Sequence, residues 1–136
     1  LIQASMLPFG RVVGVEISPE LAERARDNLA AIEKRRRCGT VELITADASS
    51  YQIPDDVTFV HLYNPFTGQV FQQVVENITA SLERNPRRLV VIYTNPLEGA
   101  RLLAAGAKLE RKLVRWRPSS EWRERVTTSV YTFQPR

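Results

Sequence analysis

The chain has 136 residues, of which 43% are hydrophobic and 25% are charged, and its formal net charge is +4. This length and composition fit a single domain over residues 1–136 and exclude an intrinsically disordered chain. The one cysteine, Cys38, excludes a disulfide framework and a cysteine-rich zinc site and predicts a cytoplasmic setting, and no uncharged apolar run reaches the roughly 18 residues of a membrane span.

Strands and helices alternate in the first part of the chain. Arg11–Ile17 is a run of β-branched residues and predicts a strand. Ser18–Glu20 predicts a helix start, with a capping serine, a proline at the first helical position and an acid at the positive end of the helix dipole. Apolar residues at helical spacing then predict a helix that ends near Arg37, and Val41–Ala46 predicts a second strand that ends at Asp47.

The alternation continues to the C-terminal end, where two strands follow each other directly. The predicted elements are a strand at Val57–Tyr63, a helix at Thr67–Leu82, a strand at Leu89–Tyr93, a short helix at Leu97–Ala105, and two strands at Lys108–Arg115 and Arg125–Phe133. Nearly continuous apolar strands separated by helices indicate an α/β fold with a mostly parallel sheet and helices on both faces. The last two strands predict an antiparallel hairpin at one edge of that sheet.

Polar side chains follow three of the predicted parallel strands, at the end of the sheet where open α/β folds bind ligands. Glu16 can accept hydrogen bonds from the two hydroxyls of a ribose; its alternative role is a solvated acid at a helix start. Asp47 can accept from the exocyclic amine of adenine while the next backbone N–H donates to a ring nitrogen; the alternative is a loop turn. Asn64 both donates and accepts, and Pro65 removes a competing N–H; the alternative is a simple turn.

Taken together, VVGVEISPELAERARDNL, the acid in ITADAS and the strand end YNPF resemble the class I S-adenosylmethionine (SAM)-dependent methyltransferases, which have a Rossmann-like fold. The resemblance covers roughly residues 9–133 and implies S-adenosyl-L-methionine as cofactor. It assigns the ribose to Glu16, packing against adenine to Ile17, and the adenine edge to Asp47 with Ala48. It places Asn64, Pro65 and Phe66 beside the transferable methyl group, with Asn64 also near the cofactor.

One feature of that family is missing from the sequence. Its first strand and glycine-rich loop would precede Leu1, and no Gly-x-Gly occurs anywhere in the chain. The sequence is therefore interpreted as a methyltransferase domain that lacks its N-terminal portion, with residues 1–7 as the end of the helix after that loop. In the family's strand order the missing strand is central, which predicts two unpaired strand edges.

The Asn-Pro-aromatic strand end resembles amino-group methyltransferases, so the predicted reaction is methyl transfer to an amine of a protein, a nucleic acid or a small molecule. The alternative is a non-enzymatic nucleic-acid-binding domain that uses the segment Lys108–Arg125, which holds seven basic and three acidic residues. Trp116 and Trp122 lie between arginines there; packing of both on the sheet is the favoured interpretation over base stacking. His61 is interpreted as a core residue and not as a base.

Overall fold

A computed structural model describes residues 1–63, 66–118 and 123–135. Two compact units can be distinguished, an N-terminal unit of Leu1–Tyr51 and a C-terminal unit of Gln52–Arg136. The single domain over residues 1–136 stays a prediction. Within the described ranges, no helix has the length and apolar character needed to cross a membrane.

The N-terminal unit is built on a pair of parallel strands. Its elements are α1 (Ile2–Ser5), β1 (Arg11–Glu16), α2 (Pro19–Ala31), a short 3-10 helix (Glu33–Arg35) and β2 (Thr40–Thr45). The two strands run in register from Arg11 opposite Thr40 to Glu16 opposite Thr45. Helix α2 packs on this pair and buries Ala22 and Leu29. The helix therefore holds β1, the strand that ends at Glu16, in place.

The structure confirms the predicted start of α2 but not its predicted end. Ser18 is the N-cap and its hydroxyl accepts a hydrogen bond from the backbone N–H of Leu21 at 3.3 Å. The predicted end near Arg37 is wrong, because the α-helix stops at Ala31. The backbone N–H groups of Arg37 and Cys38 both donate to the carbonyl of Ser5, and this contact with α1 draws the segment out of the helix.

The C-terminal unit contains a four-stranded mixed sheet and two helices. Its elements are β3 (Phe59–Tyr63), α3 (Gly68–Arg84), β4 (Leu89–Thr94), α4 (Gly99–Ala104), β5 (Lys108–Pro118) and β6 (Arg123–Phe133). The strand order is β3-β4-β6-β5, with β3 and β4 parallel and the other two pairs antiparallel. The α/β class, the parallel strands and the C-terminal antiparallel pair are thereby confirmed, and β1 and β3 each lie at a sheet edge.

Helix α3 supplies most of the core of the C-terminal unit. Its apolar stripe buries Phe71, Val74, Val75 and Ile78, and the ring of Phe71 stacks on Tyr93 of β4 with centroids 5.2 Å apart. The stripe was visible as helical periodicity in the sequence. The four buried side chains and the contact of Phe71 with Tyr93 hold α3 against the sheet.

Candidate functional site

The first strand-end acid, Glu16, is oriented by the backbone that follows it. Its Oε1 accepts a hydrogen bond of 2.9 Å from the N–H of Ser18, the residue that caps α2. The helix-start role considered for this acid is thus realised in part. A carboxylate has about four lone-pair positions, so one backbone donor leaves Glu16 with acceptor capacity toward a ligand.

The second strand-end acid, Asp47, lies beside the first because the two strands are neighbours. Glu16 pairs with Thr45, and the N–H of Ala46 donates to the carbonyl of Glu16 at 3.0 Å. Parallel strands are about 4.8 Å apart and end at the same edge of a sheet. The structure therefore brings Glu16 and the Ala46-Asp47 segment together at the carboxyl end of β1 and β2.

Asp47 forms the loop turn that its sequence context allowed. Its Oδ1 accepts from both the backbone N–H and the hydroxyl of Ser49, each at 2.8 Å. These hydrogen bonds hold the pKa of the Asp47 carboxyl below its ordinary value, and the backbone N–H is the larger cause. The side chain is therefore ionised and acceptor-only near neutral pH, while its second oxygen has no hydrogen bond among the described residues.

The residues next to the two acids differ in exposure. Ile17 is 67% exposed, so its apolar side chain is accessible to a ligand. Ala48 is half-buried, and its carbonyl accepts from the N–H of Tyr51 at 3.4 Å. The end of the β1–β2 pair therefore offers two acids and one exposed apolar surface, which is a chemistry suited to a polar ring system with hydroxyl and amino groups.

The third strand end belongs to the C-terminal unit. Asn64 and Pro65 lie outside the described residues. Phe66, the first residue after them, packs its ring at 6.1 Å from the ring of Phe71, inclined by 52°. Phe66 therefore contacts Phe71, a core residue of α3.

A residue that the sequence did not single out, Glu98, fixes the beginning of α3. The N-cap Thr67 makes no side-chain cap, and the Oε1 of Glu98 accepts instead from the N–H of Gly68 at 2.9 Å. The other oxygen, Oε2, accepts from Nε of Arg101 at 2.6 Å. Gly68 has a φ of 62°, a conformation that favours glycine. Only the fold brings Glu98 to this helix end, since thirty residues separate it from Gly68.

Two expectations about individual side chains are wrong. His61 was predicted to lie in the core, yet it is exposed, because it lies on the same exposed face of β3 as Phe59 and Tyr63. Trp116 was expected to pack on the sheet, yet 61% of it is exposed. Trp122 lies outside the described residues.

No group of three or more His, Cys, Asp or Glu side chains is placed to hold a metal ion in the described part of the chain. The groups available at the end of β1 and β2 are carboxylates, backbone amides and one apolar side chain. This donor set suits recognition of an organic ligand by hydrogen bonds.

No protein-family model matches the sequence, and no curated protein matches it. Solved structures do resemble it. A SAM-dependent methyltransferase from Methanosarcina mazei has a TM-score of 0.75 over 99% of this chain and 87% of its own, at 8% identity. The chain has the class I SAM-dependent methyltransferase fold.

Two further structures with this methyltransferase fold were solved with the cofactor or its product bound. The N-methyltransferase NodS from Bradyrhizobium japonicum, in complex with S-adenosylhomocysteine, has a TM-score of 0.60 over 90% of this chain and 66% of its own, at 7% identity. TYW2 from M. jannaschii, in complex with AdoMet, has a TM-score of 0.55 over 98% of this chain and 74% of its own, at 13% identity. At these identities the likenesses show the fold alone.

Proposed function

We propose that the protein binds S-adenosylmethionine and takes part in methyl transfer to an amino group. The observation that carries the proposal is Glu16, an acid at the carboxyl end of β1 whose carboxylate is oriented by the Ser18 N–H at 2.9 Å. The methyltransferase fold supports it, since two neighbours of this fold were solved with S-adenosylhomocysteine or AdoMet bound.

The residues at the end of β1 and β2 fit the adenosyl part of this cofactor. Glu16 would accept from the ribose hydroxyls, and the exposed side chain of Ile17 would cover one face of the adenine. The ionised Asp47 would accept from the exocyclic amine through the oxygen that Ser49 does not hold, with Ala48 beside it. Each role uses a group that the fold of the N-terminal unit already orients.

The cofactor supplies an activated methyl group, so the protein mainly has to align the acceptor and exclude water. The resemblance to amino-group methyltransferases assigns this part to Asn64, Pro65 and Phe66. An asparagine carbonyl accepts from an attacking amine and so orients its lone pair. An amine acceptor is also supported by NodS, a protein of the same fold that is named as an N-methyltransferase.

A second candidate is a nucleic-acid-binding domain without catalysis, which the exposure of Trp116 within a basic segment favours. The two candidates differ in a property that is simple to measure. A methyltransferase binds S-adenosylmethionine or S-adenosylhomocysteine through the end of β1 and β2, and a purely nucleic-acid-binding domain binds neither.

The test is isothermal titration calorimetry with S-adenosylhomocysteine. Glu16→Ala should weaken binding by about 1–3 kcal/mol, which is the cost of losing hydrogen bonds to a charged acceptor. Glu16→Gln should weaken it less, because its amide oxygen can still accept from the Ser18 N–H. Glu20→Gln is the matched control, an exposed acid in the first turn of α2, and should bind like the unchanged protein.

Two results would contradict the proposal. If the unchanged protein binds no cofactor or product, the methyltransferase function is wrong. If it binds but Glu16→Ala and Glu20→Gln are equally affected, then Glu16 is an acid of the helix start and the ribose lies elsewhere.

A further inference from the structure

The β5–β6 hairpin extends an exposed strand along one edge of the C-terminal sheet. Among the described strands, β5 pairs only with β6, with a register irregularity at Glu110, and all nine side chains from Lys108 to Trp116 are exposed. The core of the unit therefore makes little use of these side chains. These exposed side chains are therefore available to contact a binding partner.

Positive charge dominates the described part of this hairpin. Its exposed cations are Lys108, Arg111, Lys112, Arg115 and Arg125. The only exposed acid among the described side chains of the hairpin is Glu110. None of the five cations forms an ion pair with a described residue. Among the described side chains, the hairpin thus presents five exposed cations and one exposed acid.

Other arginines of the same unit are used differently. Arg84 pairs with Asp55 and also donates to the carbonyl of Ile53. Arg101 pairs with Glu98, and Arg87 donates to several backbone carbonyls. These three guanidinium groups hold loops and helix ends together. By contrast, the cations of β5 form no ion pair with another residue in the described part of the chain.

An exposed aromatic ring lies among these cations. Trp116 is 61% exposed, whereas Tyr131 and Phe133 on the neighbouring strand β6 are buried. Trp116 stands directly opposite Arg125 in the register, so the two side chains project from the same face of the hairpin. An exposed indole with a neighbouring guanidinium is a platform on which a planar base can stack.

The cations are distributed over both faces of the strand. Beyond the irregularity at Glu110, side chains alternate, so Arg111 and Arg115 project from one face and Lys112 projects from the other with Trp116. A flat anionic membrane can neutralise only one face of a strand. A flexible polyanion can follow both, and an unpaired base is needed for stacking on Trp116.

We propose that the β5–β6 hairpin binds single-stranded nucleic acid, with Trp116 stacking on a base and the flanking cations neutralising phosphates. The proposal concerns binding alone and does not depend on cofactor binding or methyl transfer. The protein can therefore fail one test and pass the other.

The proposal is tested by fluorescence anisotropy with labelled oligo(dT) and oligo(U) of about 15 nucleotides, repeated at several KCl concentrations. Each phosphate neutralised on a single strand contributes a slope of about −0.7 to the plot of log K against log salt. Arg111→Gln/Arg115→Gln should therefore reduce the magnitude of the slope by about 1.4. The matched control is Lys34→Gln/Arg35→Gln, which removes the same charge from exposed residues of the 3-10 helix and should leave the slope unchanged.

The indole is tested separately. Trp116→Ala should weaken binding about fivefold or more, as expected for losing one base stack, and Trp116→Phe should retain most of the affinity. Circular dichroism should show the same fold for all variants, because the changed side chains are exposed.

Several results would overturn the proposal. An equal effect of the Lys34/Arg35 control would mean that net charge alone drives association. Unchanged affinity in Trp116→Ala would show that Trp116 does not stack on a base. Binding to vesicles of phosphatidylserine and phosphatidylcholine without binding to either oligonucleotide would identify a membrane surface instead, and no binding to either probe would reject the hairpin as a polyanion site.

Discussion

At the scale of single residues, the two oxygens of Asp47 are in different situations. Ser49 supplies two hydrogen bonds to Oδ1, which fix the carboxylate and lower its pKa. The other oxygen has no hydrogen bond among the described residues. Fixing one oxygen through a local turn is a simple way to hold the second one ready for a ligand, so the loop-turn and adenine-edge roles of Asp47 are compatible.

Asp47→Ala should weaken the binding of S-adenosylhomocysteine more than the binding of an analogue whose adenine lacks the exocyclic amine. The expected difference is about 1–3 kcal/mol, because only the amine-bearing ligand donates to the carboxylate. Calorimetry with both ligands measures it. Ser49→Ala is the control, because it removes the hydroxyl hydrogen bond to Oδ1 and leaves the backbone hydrogen bond. It should change the difference between the two ligands less than Asp47→Ala does. Equal losses for both ligands would show that Asp47 acts only through the loop.

At the scale of secondary-structure elements, charged side chains hold both ends of α3. Glu98 accepts from Gly68 at the first turn, and hydrogen bonds from Gly68 and then from Arg101 lower the pKa of this carboxyl. At the last turn, Arg84 donates to Asp55 and to the carbonyl of Ile53, both at 2.8 Å. The helix that carries the core stripe is therefore tied at each end to a loop distant in sequence.

The Asp55–Arg84 pair predicts a pH dependence of stability. The hydrogen bond from Arg84 is the main cause that lowers the pKa of Asp55 below its ordinary value near 3.8. A carboxyl with a lowered folded-state pKa adds stability above its unfolded pKa, and that stability is lost as the pH falls through the folded value. Asp55→Asn should therefore reduce the free energy of unfolding at pH 7, and the difference from the unchanged protein should disappear toward pH 2.

Urea unfolding at a series of pH values from 7 to 2 measures this dependence. Asp27→Asn, which removes an exposed acid from α2, serves as control and should give a nearly constant difference. A gap between Asp55→Asn and the unchanged protein that stays constant down to pH 2 would show that the ion pair contributes nothing and that packing explains the effect.

The helix boundaries show which local signals were sufficient. The Ser18–Glu20 start of α2 and the apolar stripe of α3 were predictable because the capping and the periodicity depend on neighbouring residues only. The end of α2 was not, because it is decided by the carbonyl of Ser5, which accepts from both Arg37 and Cys38. No sequence pattern near Arg37 reveals this contact with the distant Ser5.

At the scale of the whole molecule, the positions of the strand-end residues could be predicted from the sequence. The features that depend on tertiary structure could not. The alternation of strands and helices predicted that Glu16 and Asp47 lie at the carboxyl end of the β1–β2 pair, and the register confirms this. Two contributions that depend on tertiary structure escaped the sequence: the tertiary cap by Glu98 and the exposure of Trp116. Both depend on which strands lie at an edge and which loops meet, and side-chain periodicity does not contain that information.

The two edge strands of the C-terminal sheet, β5 and β3, differ in how well they resist pairing with other chains. β5 carries several cations, and charge on an edge strand opposes such pairing. β3 has no charged acid or base other than the titratable His61, and its exposed face includes Phe59 at 49% and Tyr63 at 52% exposure. An apolar edge strand of this kind is a template for strand addition.

The protein should therefore self-associate through β3 as its concentration rises. Because Val90 donates to Thr58, alternate residues of β3 bond to β4, and His61 and Tyr63 direct their backbone groups toward the open edge. Tyr63→Lys adds a charge there and should shift association to about tenfold higher concentration, which corresponds to roughly 1.4 kcal/mol. Sedimentation velocity over a hundredfold concentration range measures the shift. Leu97→Lys is the control, because it changes a side chain of similar exposure outside the strands. A single monomeric species at all concentrations, or an equal response of both variants, would show that the edge of β3 does not pair with a second copy.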